Sequence, residues 1–278
     1  MVVQNSFEKV LNQSILVSKE TRRIPCTRGE QEASVFLHKN VMSGYTLFHI
    51  LNPTPNATFT ALSKGAVVFD FPTAYVIARA MFEAYANMYF LLIDPVSDEE
   101  REFRLDRWDK HALTERQKMG TAIGSTNQRL AEEAEHIKQL DSAILNSRYF
   151  TKLPPNEQQS IRDSPKWTSV DILERADKAC IHRSQSEFLY KFLSNYSHAE
   201  SYSLMQLHDA SIEESHEFCK QAAGYGEMFL ALTLDAFSRL NAKARELLTQ
   251  NPEVVLVIKF WEENKRQDLK TILADTSP

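Results

Sequence analysis

Glycine is scarce in this chain, with 7 among 278 residues, and no segment shows the regular apolar–polar alternation of a β-strand. Only one apolar run, residues 75–93, is long enough to suggest a membrane span, and it contains Arg79 and Glu83. A central arginine would cost about 2.5 to 3.5 kcal/mol in a bilayer, so we expect no membrane association. The composition therefore predicts an all-α protein, a helical bundle around a mostly apolar central helix with peripheral N- and C-terminal helices.

Cysteine is also rare, and Cys26, Cys180 and Cys219 are far apart and form no C-x-x-C pair. This pattern favours reduced thiols and a cytoplasmic location. The N-terminus shows no basic start followed by a long apolar stretch, as a secretory signal would require. The net charge of -5 does not indicate the clustered basic face that sequence-independent nucleic-acid binding requires.

The common catalytic templates are missing. The chain contains no G-x-S-x-G, no G-x-x-x-x-G-K-[ST], no H-E-x-x-H and no dinucleotide-binding glycine fingerprint. We therefore expect no cofactor and assign no metal ligand in the preferred interpretation, and whether the protein is an enzyme stays open.

The helical periodicity predicts one all-helical domain over residues 1–278. Within it, residues 1–55 form a peripheral region, 70–210 a core, and 211–278 long C-terminal helices. A loop rich in proline is expected at 153–167, and the segment 56–71 is ambiguous between strand and helix. The predicted helices cover residues 6–19, 30–51, 75–93, 97–119, 125–146, 169–181, 184–207, 211–249 and 253–274.

The central helix carries the most informative pattern. Arg79, Glu83 and Asn87 are its strongly polar members, and their four-residue spacing places them on one stripe of an apolar helix. Because burying charge without partners is costly, this stripe must face complementary groups or water in a cleft. It is the first candidate for a functional site.

A second polar face is predicted in the helix at 184–207. Tyr190, Ser194, His198 and Tyr202 recur every four residues. Histidine is the side chain best suited to proton transfer near neutral pH, and a neighbouring hydroxyl could orient it. A structural alternative is a buried histidine whose polar contacts fix the helix packing.

These two helices also resemble part of a bacterial family catalogued only as a domain of unknown function, with a mostly helical fold. The resemblance covers residues 71–203 and implies that Arg79, Glu83 and His198 converge, but it supplies no activity. It is carried, in order, by R-x-M-F-E-x-x-x-N-x-Y-F-L from Arg79, Asp94–Pro95, an arginine-rich helix, P-K-W from Pro165, and Y-x-F-L-S-x-Y-S-H from Tyr190.

A distant similarity to HEPN ribonucleases is one enzymatic hypothesis, since these helical proteins cleave RNA without metal. They use an arginine and a histidine that are separated by four to six intervening residues, across a dimer. Here Lys191 precedes His198 at that spacing, with lysine where arginine is expected. In an alternative version Arg79 stabilises phosphate charge, His198 is the general acid or base, and Glu83 orients one of them. The Arg–His spacing alone is unspecific, because it recurs at Arg104/His111, Arg129/His136 and Arg175/His182.

A carboxylate-bridged dimetal bundle is a second alternative, because it requires two E-x-x-H pairs and two further glutamates. Glu133 with His136 and Glu213 with His216 supply both pairs, and Glu83 with Glu187 or Glu200 could complete the set. The helical faces argue against this set, since His136 lies off the apolar face of its helix and Glu213 flanks the face that contains His216.

The preferred hypothesis is a helical binding or effector protein of a stress or defence system, with a polar pocket. Its expected partners are a second copy of the chain and either RNA or an anionic small ligand. A purely structural or interaction protein is the remaining alternative. The candidate ligand-binding residues are Asn87, Tyr190, Lys191, Ser194 and Tyr202, beside the candidate catalytic residues Arg79, Glu83 and His198.

Overall fold

The structure is a computed structural model that describes residues 2–52, 69–120, 124, 126–164, 166–198 and 200–269. All regular elements in these residues are helical, and the described part contains no strand. The prediction of an all-α helical bundle is confirmed. The ambiguous segment at 56–71 falls mostly outside the described residues. Its last residues, from Phe69, lead into a helix.

The contacts between residues divide the chain into two compact units, while the predicted single domain stays a prediction. The first unit contains Met1–Phe90 and Ile172–Pro278, and the second contains Leu91–Asp171. The first unit holds α1 (Val2–Thr21), α2 (Arg28–Leu51), α3 (Phe71–Met88), α8 (Ile172–Lys178), α9 (Arg183–Ser197), α10 (Ser201–Asp209), α11 (Ile212–Leu240), α12 (Ala242–Thr249) and α13 (Pro252–Asn264). The second unit holds α4 (Asp98–Met119), α5 (Asn127–Asn146), α6 (Arg148–Lys152) and α7 (Pro155–Asp163). A π-helical turn, Tyr89–Ile93, continues α3 to the boundary.

Helix α11 is the centre of the first unit, where it packs against α1, α2, α3 and α13. Its approach to α2 is close, since a Cβ atom added at Gly226 would lie 2.4 Å from a methyl carbon of Leu47. Helix α3 packs on α2 and α11 and also contacts α8 and α9. The stretch Phe71–Ile93 is long and apolar enough to cross a membrane, and just over half of its most apolar window is buried inside the protein.

Several helix ends agree with the sequence signals. Asp70 caps α3 by accepting a hydrogen bond from the Thr73 N–H, with Pro72 in the first turn. Ser97 caps α4 in the same way, accepting from the Glu100 N–H at 3.2 Å. Gly120 ends α4 with a positive φ of 52°, a conformation that glycine adopts without a steric penalty.

Four predicted boundaries are wrong, and one of them is the end of the last helix, because α13 stops at Asn264, ten residues before its predicted end. The expected loop at 153–167 contains α7, because Pro155 occupies the first turn of a helix, where its missing N–H costs no hydrogen bond. The predicted helix 184–207 breaks between α9 and α10, and the helix 211–249 breaks at Asn241. The Asn241 side chain accepts from the Ala244 N–H and starts α12.

Candidate functional site

The candidate site lies where α3 and α9 pack together, and an aromatic cluster positions it. The ring of Tyr75 on α3 lies 5.0 Å from that of Phe192 and 4.6 Å from that of Tyr196, both on α9. The Tyr75 hydroxyl donates to Gln221 on α11 at 2.5 Å. Burial raises the pKa of the Tyr75 phenol far above its usual range and that of Tyr196 to about 12, so both phenols are neutral contacts. These contacts hold α9 in register with α3.

Arg79 lies one helical turn after Tyr75 and is the centre of the polar contacts. Its Nε donates to the Glu83 carboxylate at 3.0 Å. The guanidinium carbon lies 4.9 Å from the centre of the Tyr190 ring, and Nη2 is 3.5 Å from the Tyr190 hydroxyl. Nη1 is 3.4 Å from Nε2 of His198, a residue 119 positions away in the sequence. Arg79, Glu83, Tyr190 and His198 form what we call the Arg79 cluster.

The cluster is partly open to solvent. The Arg79 side chain is 14% exposed, whereas that of Glu83 is 40% exposed and His198 is exposed. An arginine side chain has five N–H donors, and only Nε makes a short contact here, because both Nη contacts lie at the long end of the hydrogen-bond range. The guanidinium is therefore fixed in direction and still able to donate to a ligand.

His198 is placed by the end of α9. Its backbone N–H donates to the carbonyl of Ser194 at 3.2 Å, and its φ of -111° and ψ of 7° take the chain out of the helix. With Nε2 close to an arginine, a neutral imidazole accepts the arginine N–H at this atom. Nδ1 would then carry the ring proton. The imidazole can therefore donate from Nδ1–H at the protein surface, whereas the lone pair of Nε2 is directed at Arg79.

The remaining predicted ligand-binding residues lie outside the cluster. Ser194 donates its hydroxyl proton to the Tyr190 carbonyl within α9. Asn87 is half-buried, and its Oδ1 has no hydrogen-bond partner among the described residues. Lys191 and Tyr202 line a shallow apolar surface depression with Phe188. Tyr202 belongs to α10, since α9 ends before it, so the four-residue face predicted from Tyr190 to Tyr202 does not exist as one helix face.

The E-x-x-H pairs have other surroundings. Burial would raise the pKa of the Glu133 carboxyl, but hydrogen bonds from Arg129 and Arg116 hold it below its usual value. His136 is exposed, and His216 packs its ring 4.6 Å from that of Phe69. Within the described ranges, no group of three or more histidine, cysteine, aspartate or glutamate side chains is arranged to hold a metal ion.

Sequence reasoning missed the role of Tyr190 as the surface on which the arginine rests. The available signal was an arginine on the polar stripe of α3 and a tyrosine on the polar face of α9. Arginine and tyrosine side chains that pack together form a cation–π contact. It also treated the two helices separately and used the family resemblance to bring Arg79 and His198 together. Their contact follows from the aromatic packing of α3 on α9.

The fold and the site define an all-helical protein with a partly open arginine–histidine cluster between two packed helices. The chain belongs to the family of unknown function DUF5677, whose model matches residues 56–216. That range includes every residue of the Arg79 cluster. No curated protein and no solved structure matches the chain.

Proposed function

We propose that the Arg79 cluster binds an anionic group and that the protein is a helical binding or effector protein. The observation that carries this proposal is the guanidinium of Arg79, which Glu83 and Tyr190 hold in place while its Nη atoms make only long contacts. Arginine in a fixed orientation is well suited to phosphate or carboxylate, because its planar fork of donors matches two oxygens. His198 would add a second hydrogen bond from the exposed side.

The proposed setting is the cytoplasm, and the three unpaired thiols support it. A role in bacterial stress or defence is part of the proposal and comes from the sequence hypothesis alone, since the function of the matching family is unknown. A homodimer is likewise proposed. Leu256 and Phe260 of α13 are exposed apolar residues that a second copy could cover, whereas Val254 and Ile258 of the same helix are buried.

Binding is tested by replacing Arg79 with glutamine and titrating both proteins with a 2′-O-methyl RNA oligonucleotide, which cannot be cleaved through a 2′-hydroxyl, and with citrate. We expect at least one of these anions to bind the wild type and Arg79→Gln to weaken that binding about 10-fold or more, as for lost charge-assisted hydrogen bonds of about 1.5 to 3 kcal/mol. The measurement is isothermal titration calorimetry at two salt concentrations.

The matched control for this titration is Arg183→Gln on α9. Arg183 is exposed and paired with Asp177 and Glu187, so its loss changes the net charge equally without touching the cluster. Equal weakening in both variants would mean that the protein senses only net charge. Failure of the wild type to bind either anion would also contradict the proposal.

A second candidate function is metal-independent RNA cleavage, and the contact between Arg79 and His198 favours it. Such a reaction needs a group that moves a proton to or from the 2′-hydroxyl and a cation beside the phosphate. His198 is the exposed imidazole for the first role, and Arg79 is the cation for the second. Glu83 would position the arginine.

RNA cleavage is tested in EDTA with the wild type and His198→Ala side by side. Because positioned acid–base catalysis contributes about 100-fold to 10,000-fold, the variant should lose the activity to at least this extent. Its thermal melt should stay near that of the wild type, since His198 is exposed. His208→Ala is the matched control, because His208 is an exposed histidine on α10 paired only with Asp209. Cleavage that persists in His198→Ala would eliminate this function.

A further inference from the structure

The second unit contains a cleft of about 390 Å³ that has no part in the Arg79 cluster. Helices α4, α5 and α7 and the segment after α7 form its walls. The volume lies within the range of small-molecule sites. Its lining residues are Arg107, Lys110, His111, Thr114, Asp141, Ile144, Leu145, Ile161, Arg162, Asp163, Ser164 and Lys166.

Arg107 is the informative member of this lining. It is half-buried, and burial lowers the pKa of its guanidinium below the usual value. It donates one hydrogen bond to the Lys166 carbonyl at 2.8 Å, and its guanidinium carbon lies 5.7 Å from the centre of the Phe103 ring. It makes no ion pair with a carboxylate in the described part of the chain. Partial burial of a cation without a counter-ion costs free energy, and an anionic ligand would offset this cost.

The charge of the lining supports the same conclusion. Lys110 is neutralised by Asp141, and Asp163 is held by Gln159 through two hydrogen bonds of 2.9 and 3.0 Å. Arg162 contributes a cation whose guanidinium rests 5.2 Å from the Phe150 ring, and Lys166 contributes another. Four cationic side chains and two carboxylates leave an excess of two positive charges, counting histidine as neutral. A phosphate monoester, with a charge of about -1.5 to -2 at pH 7, matches this excess.

Part of the cleft lining is apolar. Ile144, Leu145 and Ile161 form it, and they belong to or border the small core around Phe103 and Phe150. Such a wall would accept an apolar or aromatic body rather than a second charged group. We propose that this cleft binds a small organic phosphate monoester, with the phosphate at Arg107, Arg162 and Lys166 and the organic part against the isoleucine and leucine side chains. This site does not depend on the proposed function of the Arg79 cluster.

The test uses phenyl phosphate as the probe, with inorganic phosphate and benzoate for comparison, in calorimetric titrations of the full chain. We expect phenyl phosphate to bind at one site more tightly than either comparison anion. Arg107→Gln should weaken its binding at least 10-fold. Phenyl phosphate bound at the Arg79 cluster is removed by repeating the titrations in an Arg79→Gln background, where the loss caused by Arg107→Gln should persist.

Two further variants make the test decisive. Arg162→Gln combined with Lys166→Gln removes two exposed cations, so it should reduce binding even if Arg107→Gln fails to fold. Arg148→Gln is the control, since Arg148 is exposed in the same unit and pairs with Glu99 outside the cleft. No saturable binding of phenyl phosphate to the wild type would overturn the proposal. So would equal affinity for benzoate, or equal losses in the cleft variants and Arg148→Gln.

Discussion

Replacement of Asp94 by alanine should lower the free energy of unfolding by about 3 kcal/mol, near the lower end of the 3 to 5 kcal/mol measured when one partner of a buried ion pair is removed. Asp94 accepts from Arg104 at 2.8 Å, and the two side chains are only 8% and 9% exposed. Arg104 keeps Glu100 as a second partner at 2.5 Å, which limits the loss. Chemical denaturation followed by circular dichroism and tryptophan fluorescence measures the effect.

Glu135→Ala is the control for Asp94→Ala. Glu135 pairs with Lys138 at 3.1 Å on the surface, with 61% and 75% of the side chains exposed. An exposed pair of this kind contributes less than about 1 kcal/mol. Similar losses in both variants would contradict the argument that burial of Arg104 sets the cost. Because Trp108 and Trp167 pack against each other in this unit, their fluorescence should follow the Asp94→Ala transition.

Local signals in the sequence predicted the helices well wherever a cap and an apolar period agreed. Ser97 and Glu100 at the start of α4 are an example, as is the pairing of Glu100 with Arg104 one turn later. Both depend on residues three or four positions apart, so a single sequence contains all the information. The inward residues of α1 follow the same local pattern, since Phe7, Val10 and Leu11 have helical spacing and are buried.

Breaks inside long periodic stretches were harder to predict. Asn241 interrupts the predicted helix 211–249, because it caps α12. An asparagine within a polar stretch of helix does not by itself indicate such a break. His198 ends α9 without glycine or proline, so the sequence contains no local stop signal at this position. The Arg79 cluster exists because of this break. Its polar residues could be selected from spacing, but their contact depends on packing between elements far apart in sequence.

The cationic cleft of the second unit was not predicted at all. The charge pattern of residues 99–118 is typical of a solvated helix with paired charges, which fits Lys118 and Glu115. Arg107 differs from them only because Phe103 and the Lys166 carbonyl surround it in the folded chain. Composition and spacing treat all arginines in such a helix alike, and neither shows that Arg107 is partly buried beside a cleft.

Replacement of Glu262 by alanine should cost about as much as Asp94→Ala or more, because it removes the carboxylate that pairs with the buried Lys265. The Lys265 side chain is 2% exposed, and its Nζ lies 2.8 Å from Glu262 and 2.9 Å from the Tyr85 hydroxyl. Burial lowers the pKa of Lys265, and Glu262 opposes this effect. Lysine can escape the penalty by losing its proton. That limits the loss to about 4 to 5 kcal/mol at pH 7, at 1.36 kcal/mol per pKa unit.

Two variants separate this mechanism from a simple loss of packing. Glu263→Ala changes an exposed neighbour on α13 and should leave the unfolding free energy within about 0.5 kcal/mol of the wild type. The double variant Glu262→Ala with Lys265→Met should recover much of the lost stability, because a buried ion pair replaced by apolar groups is often neutral or stabilising. If the double variant is less stable than Glu262→Ala alone, the cost does not come from the unpaired lysine.

The stability deficit of Glu262→Ala should also depend on pH. A lysine whose folded pKa lies below its unfolded pKa binds fewer protons when folded, so folding becomes more favourable as pH rises through the folded pKa toward 10.5. Without Glu262, the pKa of Lys265 should fall further, and a neutral amine needs no counter-ion. The deficit relative to the wild type should therefore be smaller at pH 9 than at pH 7 in urea titrations. An equal deficit at both pH values would show that Lys265 stays charged and that the lost contacts of Glu262 account for the effect.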